Sequence, residues 1–256
     1  MTTDRAYELC VRPGDVCIDI GANTGRTAFV FSKLVGPQGK CISFECHPMM
    51  FAGLSAVAAK FGGGNIYPYC RALSDMRGHV IMYGGNGAAS SEASTIVPDL
   101  ANHGRLGDTI FELRVEADTL DHFCEDHGLA PQVIKVDVEG AEVQVFAGAL
   151  ETIRQNIPHI VFEFGYGFAN GGLPSHFPAL TALGYRFFLI DVMYSHQRIA
   201  VLSVGPNVLA EVTPDDIAPT GLSGNILALH QSKRAAVLSR ATVIPFAEAA
   251  SYLVLK

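Results

Sequence analysis

The chain has no uninterrupted apolar run near the roughly 18–20 residues that a membrane span requires. Its first residues, MTTDRAYELC, lack the basic stretch and apolar core of a secretory leader. Basic residues are in the minority: 18 Lys+Arg against 25 Asp+Glu give a net charge of −7. Proteins that grip nucleic acid neutralise phosphates with a basic face, so this balance counts against a nucleic-acid partner. No CxxC occurs, and Cys10, Cys17, Cys41, Cys46, Cys70 and Cys124 show no zinc-ligand pairing. Cys17, Cys41 and Cys70 lie in apolar, strand-like runs, where a thiol acts as a small hydrophobe. Scattered thiols suit a reducing compartment, so a cytoplasmic protein without a membrane partner is expected.

What is present is an ordinary globular balance. Over 256 residues, 49% are hydrophobic and 17% charged, which excludes a disordered chain. Neither an internal repeat nor an inter-domain linker stands out, and one domain over residues 1–256 is expected. Residues 231–256 are apolar enough to pack back on it.

Short β-rich runs alternate with helical stretches. Strands are predicted at Val16–Ile20, Cys41–Glu45, Ile66–Cys70, Val133–Asp137, His159–Phe164, Tyr185–Ile190 and Asn225–His230. Helices are predicted at about Thr24–Leu34, Pro48–Phe61 and Ala141–Arg154. This alternation implies a mostly parallel sheet covered by helices on both faces. Residues 78–117 break the rhythm: His79–Tyr83, the polar stretch GGNGAASSEAS, then Ile110–Glu116. They read as a hairpin-like insertion with a flexible middle. Such loops, and the loop GYGFANGG after the fifth strand, are candidates to border a site.

The strongest local signal is VCIDIGANTGRTAFVF, residues 16–31. A strand ending in Asp19 runs into Gly21-Ala-Asn-Thr-Gly25 and then a helix. The GxxxG spacing, with Asn23 at its centre, differs from the GxGxxG that cradles a pyrophosphate. It suits S-adenosylmethionine, whose amino-acid end needs no phosphate cradle, with Asp19 placed to meet the ammonium group directly or through water. Glu45 ends the second strand, where a carboxylate can accept both ribose hydroxyls. The third strand leads into Arg71-Ala72-Leu73-Ser74-Asp75, and Ala72 and Leu73 are placed to read the adenine. Ser74 and Asp75 are explained as turn chemistry. Asp137 ends the fourth strand; Glu139 and Gly140 follow, and Glu142 is explained by the helix dipole.

The ordered motifs IDIGANTG, FECHP, ALSD, ADTLDHF, KVDVEGAE, IVFEF and LGYRFF resemble the FkbM-type methyltransferases over about residues 14–230. The resemblance implies a Rossmann-like class I fold: seven strands, mostly parallel, the last antiparallel. It implies O-methylation, often of sugar or secondary-metabolite hydroxyls. Carried over by motif, Asp19, Gly21, Asn23 and Gly25 would cradle the methionine part. Glu45 would bind the ribose, Ala72 and Leu73 would flank the adenine, and Asp137 and Glu139 would lie at the active site. The usual Glu-Pro-x-Pro reads Glu45-Cys46-His47-Pro48 here, which loosens the loop but keeps the carboxylate. The chain starts almost at the first motif. Acceptor recognition is therefore expected from the insertion, the loops after strands five and six, or another subunit of an oligomer.

Asp137 is the first candidate for base or ligand of a divalent metal such as Mg2+. Glu163 and His196 are second candidates, against capping and surface-loop readings respectively, and His47 is ambiguous. No Asn-Pro-Pro-Tyr or Pro-Cys occurs, which disfavours amino-group and cytosine-carbon acceptors. The expected acceptor is a small molecule or glycan. Two alternatives are an oxidoreductase using a nicotinamide cofactor, which the glycine spacing disfavours, and a non-catalytic SAM-binding partner subunit.

Overall fold

In the computed structural model, the described residues are 1–85, 94–101, 110–164, 175–195, 198–202, 205, 207–217, 222–250 and 253–255. They form two compact units, Val11–Ile157, and Met1–Cys10 with Pro158–Lys256.

Helix α1 (Thr3–Cys10) belongs to the second unit. The first unit begins with β1 (Val16–Ile20), α2 (Arg26–Val35), β2 (Lys40–Phe44), α3 (Pro48–Phe61) and β3 (Ile66–Tyr69). Then come β4 (Ala72–Leu73), β5 (Gly78–Gly85), α4 (Pro98–Ala101), β6 (Ile110–Asp118) and α5 (Leu120–Asp126). It ends with β7 (Val133–Val136), α6 (Glu142–Ala147) and α7 (Leu150–Asn156).

Its main strands run β7-β1-β2-β3, all parallel. Parallel strands covered on both faces read as nearly continuous apolar runs. VCIDI and VIKV do so, and every residue of β7 is buried, including Lys135. Phe44, Tyr69 and Phe123 close one side of this core, with ring centroids 4.8–5.5 Å apart.

The insertion forms its expected antiparallel pair, β5 with β6, in register from Gly78↔Ala117 to Gly85↔Ile110. It also gains a strand, because β4 pairs parallel with β6 and makes a three-stranded sheet of order β4-β6-β5. Ala72, Met82, Val115 and Ala117 form its small core. The polar middle of the insertion lies largely outside the described residues. The single helix predicted over Ala141–Arg154 is two, which meet at Gly148 and Ala149; a Cβ at Gly148 would sit 2.1 Å from the Ser74 carbonyl oxygen. Cys70, placed in a strand by its sequence, follows β3 and is exposed.

The second unit contains β8 (His159–Phe164), α8 (His176–Ala182), β9 (Tyr185–Ser195), β10 (Arg198–Leu202) and β11 (Val208–Val212). It continues with α9 (Pro214–Ile217), β12 (Leu222–His230), α10 (Arg234–Leu238), β13 (Thr242–Pro245), α11 (Phe246–Ala250) and β14 (Leu253–Leu255). Here β12 is antiparallel to both β8 and β9, as expected of the last strand. The seven expected strands are thus present as four in the first unit and three in the second. Beyond them, β11 pairs with β9 and β13, while β10 pairs with β9 and β14. Phe162, Phe177 and Phe187 pack in this unit's core, Phe162 edge-on to the other two rings. Among the described residues no helix is long and apolar enough to cross a membrane.

Candidate active site

The turn between β1 and α2 sets the geometry. Gly21, Asn23 and Gly25 have φ of 75°, 50° and 93°. Only glycine fits at residue 21, because a Cβ would lie 1.8 Å from the Asp137 carbonyl oxygen. The turn's amides are all satisfied internally. Gly21 and Ala22 donate to the Phe44 carbonyl, Asn23 to the Glu45 carboxylate, Thr24 to its neighbour Asn23 Oδ1, and Gly25 to the Ala22 carbonyl. A dinucleotide turn keeps amides free for the pyrophosphate; this one does not.

Glu45 is the hub of the second turn. Its Oε2 accepts the Asn23 N–H at 2.8 Å and its Oε1 the His47 N–H at 2.7 Å. Burial pushes its pKa up, and those two donors pull it back. A carboxylate offers about four acceptor positions, so capacity remains for a diol. His47, ambiguous by sequence, is a helix cap: its buried ring accepts the Met49 N–H at 3.2 Å through Nδ1. Burial lowers its pKa, which keeps the ring neutral and able to accept.

The third turn follows β7. Glu139 and Gly140 have φ of 55° and 101°. Glu142 Oε1 accepts the N–H groups of Val138 and Gly140 at 3.2 and 3.3 Å. Burial raises its pKa to about 7. Glu142 therefore braces the turn that carries Asp137 and Glu139, beyond the dipole role its sequence position suggests.

These turns enclose one cleft, lined by Gly21, Asn23, Glu45, Ala72, Leu73, Asp137 and Glu139, all expected from the sequence. Cys46, Met50, Arg71, Thr95 and Ile96 complete the wall. The cleft spans about 730 Å³ when its open mouth is included. Glu45, Asp137 and Glu139 make the wall acidic, while Arg71 is matched by Asp118 at 3.1 Å and Glu116 at 3.5 Å. An acidic wall with apolar Leu73, Ile96 and Ala141 fits a cationic, phosphate-free nucleoside and repels a pyrophosphate.

A sequence profile of the Methyltransferase FkbM domain matches residues 19–187. The chain belongs to this family. The FkbM-family chain is a SAM-dependent methyltransferase, which removes the nicotinamide alternative. It is 29% identical over 185 residues to the 31-O-demethyl-FK506 methyltransferase FkbM of Streptomyces tacrolimicus, covering 63% of this chain and 70% of that protein. It is 30% identical over 154 residues to the 2-O-methyltransferase NoeI of Sinorhizobium fredii, covering 57% of this chain and 62% of that one. A solved methyltransferase FkbM from Methylobacillus flagellatus aligns with a TM-score of 0.47 at 13% identity, over 86% of this chain and 49% of that one.

Two expected residues, Gly25 and Asp19, do not line the cleft. Gly25 starts α2 in the left-handed region and abuts α3, where a Cβ would meet Leu54 and Val57 at 3.1–3.3 Å. Asp19 is fully enclosed, and its carboxylate faces the Lys135 ammonium at 3.3 Å. Two routes to a ligand ammonium are expected of it, direct or through water; no part of its side chain faces the cleft directly. Glu163 is buried on β8 in the second unit, in register with Asn225 of β12. His196 lies outside the described residues. Sequence reading missed Lys135, whose signal was a charged residue inside the apolar run VIKV, and gave Glu142 only a helix-dipole role. It also missed Thr95 and Ile96, which only the fold of the insertion brings to the cleft.

Proposed function

We propose that this FkbM-family enzyme methylates a hydroxyl oxygen of a small molecule or glycan, either a sugar or a secondary-metabolite alcohol, in the cytoplasm. The observation that carries the reading is the Asp137 carboxylate, on the cleft wall and 38% exposed at its side chain, beside Glu139. A carboxylate so placed can take the proton that a hydroxyl loses during attack. The names of both curated relatives specify an oxygen acceptor, which supports the same class. The acidic wall and the net charge of −7 speak against a nucleic-acid acceptor.

Bound S-adenosylmethionine supplies an electrophilic methyl carbon. The chain supplies position, which can contribute several kcal/mol to such a displacement. Glu45 accepts from the ribose hydroxyls, and Ala72 and Leu73 flank the adenine. Asp137 receives the hydroxyl proton while Glu142 holds the turn beneath it. Glu163 and His196 are second candidates for the proton. If a divalent ion such as Mg2+ takes part, Asp137 and Glu139 would hold it and the metal would acidify the hydroxyl.

The test is incubation with methyl-labelled S-adenosylmethionine and a panel of glycosides and polyhydroxylated macrocycles, with and without magnesium. Label in an alkali-stable ether methyl group is expected. Label only in amines or alkali-labile esters would overturn the reading.

A further inference from the structure

Lys135 is the one charged residue of β7, and its side chain is only 9% exposed. Lysines are almost never so buried unless paired. The parallel register sets Lys135 directly against Asp19 of β1. Its ammonium donates to the Gly21 carbonyl at 2.7 Å and lies 3.3 Å from Asp19 Oδ1 and 3.4 Å from Asp137 Oδ2. The Ile20 carbonyl is 3.5 Å away.

One cation therefore joins three parts of the site: the end of β1, the glycine turn, and the residue that ends β7. Gly21 is held from both sides, its N–H bonded to the Phe44 carbonyl of β2 and its own carbonyl to Lys135 of β7. With a left-handed φ and no Cβ, this residue has little stiffness of its own, so the two bonds decide how the turn is presented. Asp19 neutralises the ammonium behind a turn that must receive a cationic methyl donor.

We propose that Lys135 is a positioning residue for the amino-acid end of the methyl donor, and that Asp19 acts on the donor only through Lys135. The proposal rests on the S-adenosylmethionine reading of the cleft. It assigns Asp19 to the lysine instead of to the ligand's ammonium.

The test is calorimetric titration of the full chain with two probes. S-adenosylhomocysteine carries the amino-acid end; 5′-methylthioadenosine keeps the nucleoside and lacks that end. In Lys135→Met, affinity for S-adenosylhomocysteine falls at least tenfold, while affinity for 5′-methylthioadenosine stays within about twofold of wild type. Adding Asp19→Asn to Lys135→Met leaves both affinities unchanged. If Lys135→Met alone fails to fold because it strands buried carboxylates, the double variant, which removes one of them, is measured against Asp19→Asn. It must show the same selective loss. Equal loss of both probes would reduce Lys135 to a structural role and overturn the proposal, as would no loss of either. A loss from Asp19→Asn that is the same with and without Lys135 would make Asp19 a direct ligand and overturn it too. A wild-type chain that binds neither probe would fail at the cofactor reading itself, and the proposal would fall with it.

Discussion

The Glu45 carboxylate accepts the backbone N–H of Asn23 at 2.8 Å, which ties the end of β2 to the glycine turn after β1. The same carboxylate accepts the His47 N–H at 2.7 Å, so one side chain shapes two turns of the cleft while facing it.

Replacing Glu45 should therefore act on binding. Glu45→Ala removes an acceptor for the ribose hydroxyls and frees two backbone donors. A lost hydrogen bond to a charged group is worth roughly 1.5–3 kcal/mol, so affinity for S-adenosylhomocysteine should fall about tenfold to a hundredfold. Calorimetry measures this directly. An unchanged affinity would show that Glu45 shapes the turns and does not touch the ribose.

Glycine substitutions should separate clash from strain. Gly14 and Gly21 both have positive φ, of 92° and 75°. A Cβ at Gly14 meets nothing within 4 Å, whereas one at Gly21 lies 1.8 Å from the Asp137 carbonyl oxygen. Gly14→Ala should cost about 1–2 kcal/mol from backbone strain alone. Gly21→Ala should abolish cooperative folding or destabilise by more than about 4 kcal/mol. Urea denaturation of both variants checks the contrast; similar losses would mean that the turn yields easily.

Glu142 should make stability depend on pH. Its folded-state pKa, about 7, lies above the ordinary 4.5. The folded state therefore holds the proton more tightly than the unfolded chain. Stability from this group is complete below about 4.5 and is lost as pH rises through about 7. Glu142→Gln keeps an acceptor for the Val138 and Gly140 amides and has no proton to lose. It should gain stability over wild type at pH 8 and not at pH 4. Glu142→Ala should lose roughly 1–3 kcal/mol for each stranded amide. Equal pH profiles for wild type and Glu142→Gln would contradict the burial argument.

Asp118 should matter beyond its own strand. It accepts from Arg71 at 3.1 Å and from the Thr119 N–H at 2.9 Å, and it contacts His122 Nδ1 at 2.9 Å. Its side chain is largely buried, and Arg71 lines the cleft. Asp118→Ala should destabilise by about 1–3 kcal/mol and leave Arg71 less neutralised beside the cationic donor. Asp118→Asn should retain part of both effects. Denaturation, together with S-adenosylmethionine titration, reads them separately.

Much of this was legible along the chain because its physics is local. Parallel strands buried on both faces must be apolar runs, so β1, β2 and β7 are visible as VCIDI, KCISF and VIKV. A turn that needs left-handed backbone must carry glycine or asparagine, so Gly21, Asn23 and Gly25 stand out. Carboxylates at strand ends pointed to Glu45 and Asp137, the family resemblance added Glu139, and all three line the cleft.

Contacts between distant segments were decided by the tertiary structure. Gly25 is also required by packing, because α3 lies against it. Gly148, between α6 and α7, must lack a Cβ because it meets Ser74, far away in sequence. Thr95 and Ile96 reach the cleft only when the insertion folds with β4. Asp19 presents itself in the motif as a ligand for the cofactor, and the register of β1 with β7 sets Lys135 beside it. A strand's pattern records which residues are buried, but not which buried charge faces which, because that choice belongs to the pairing of strands.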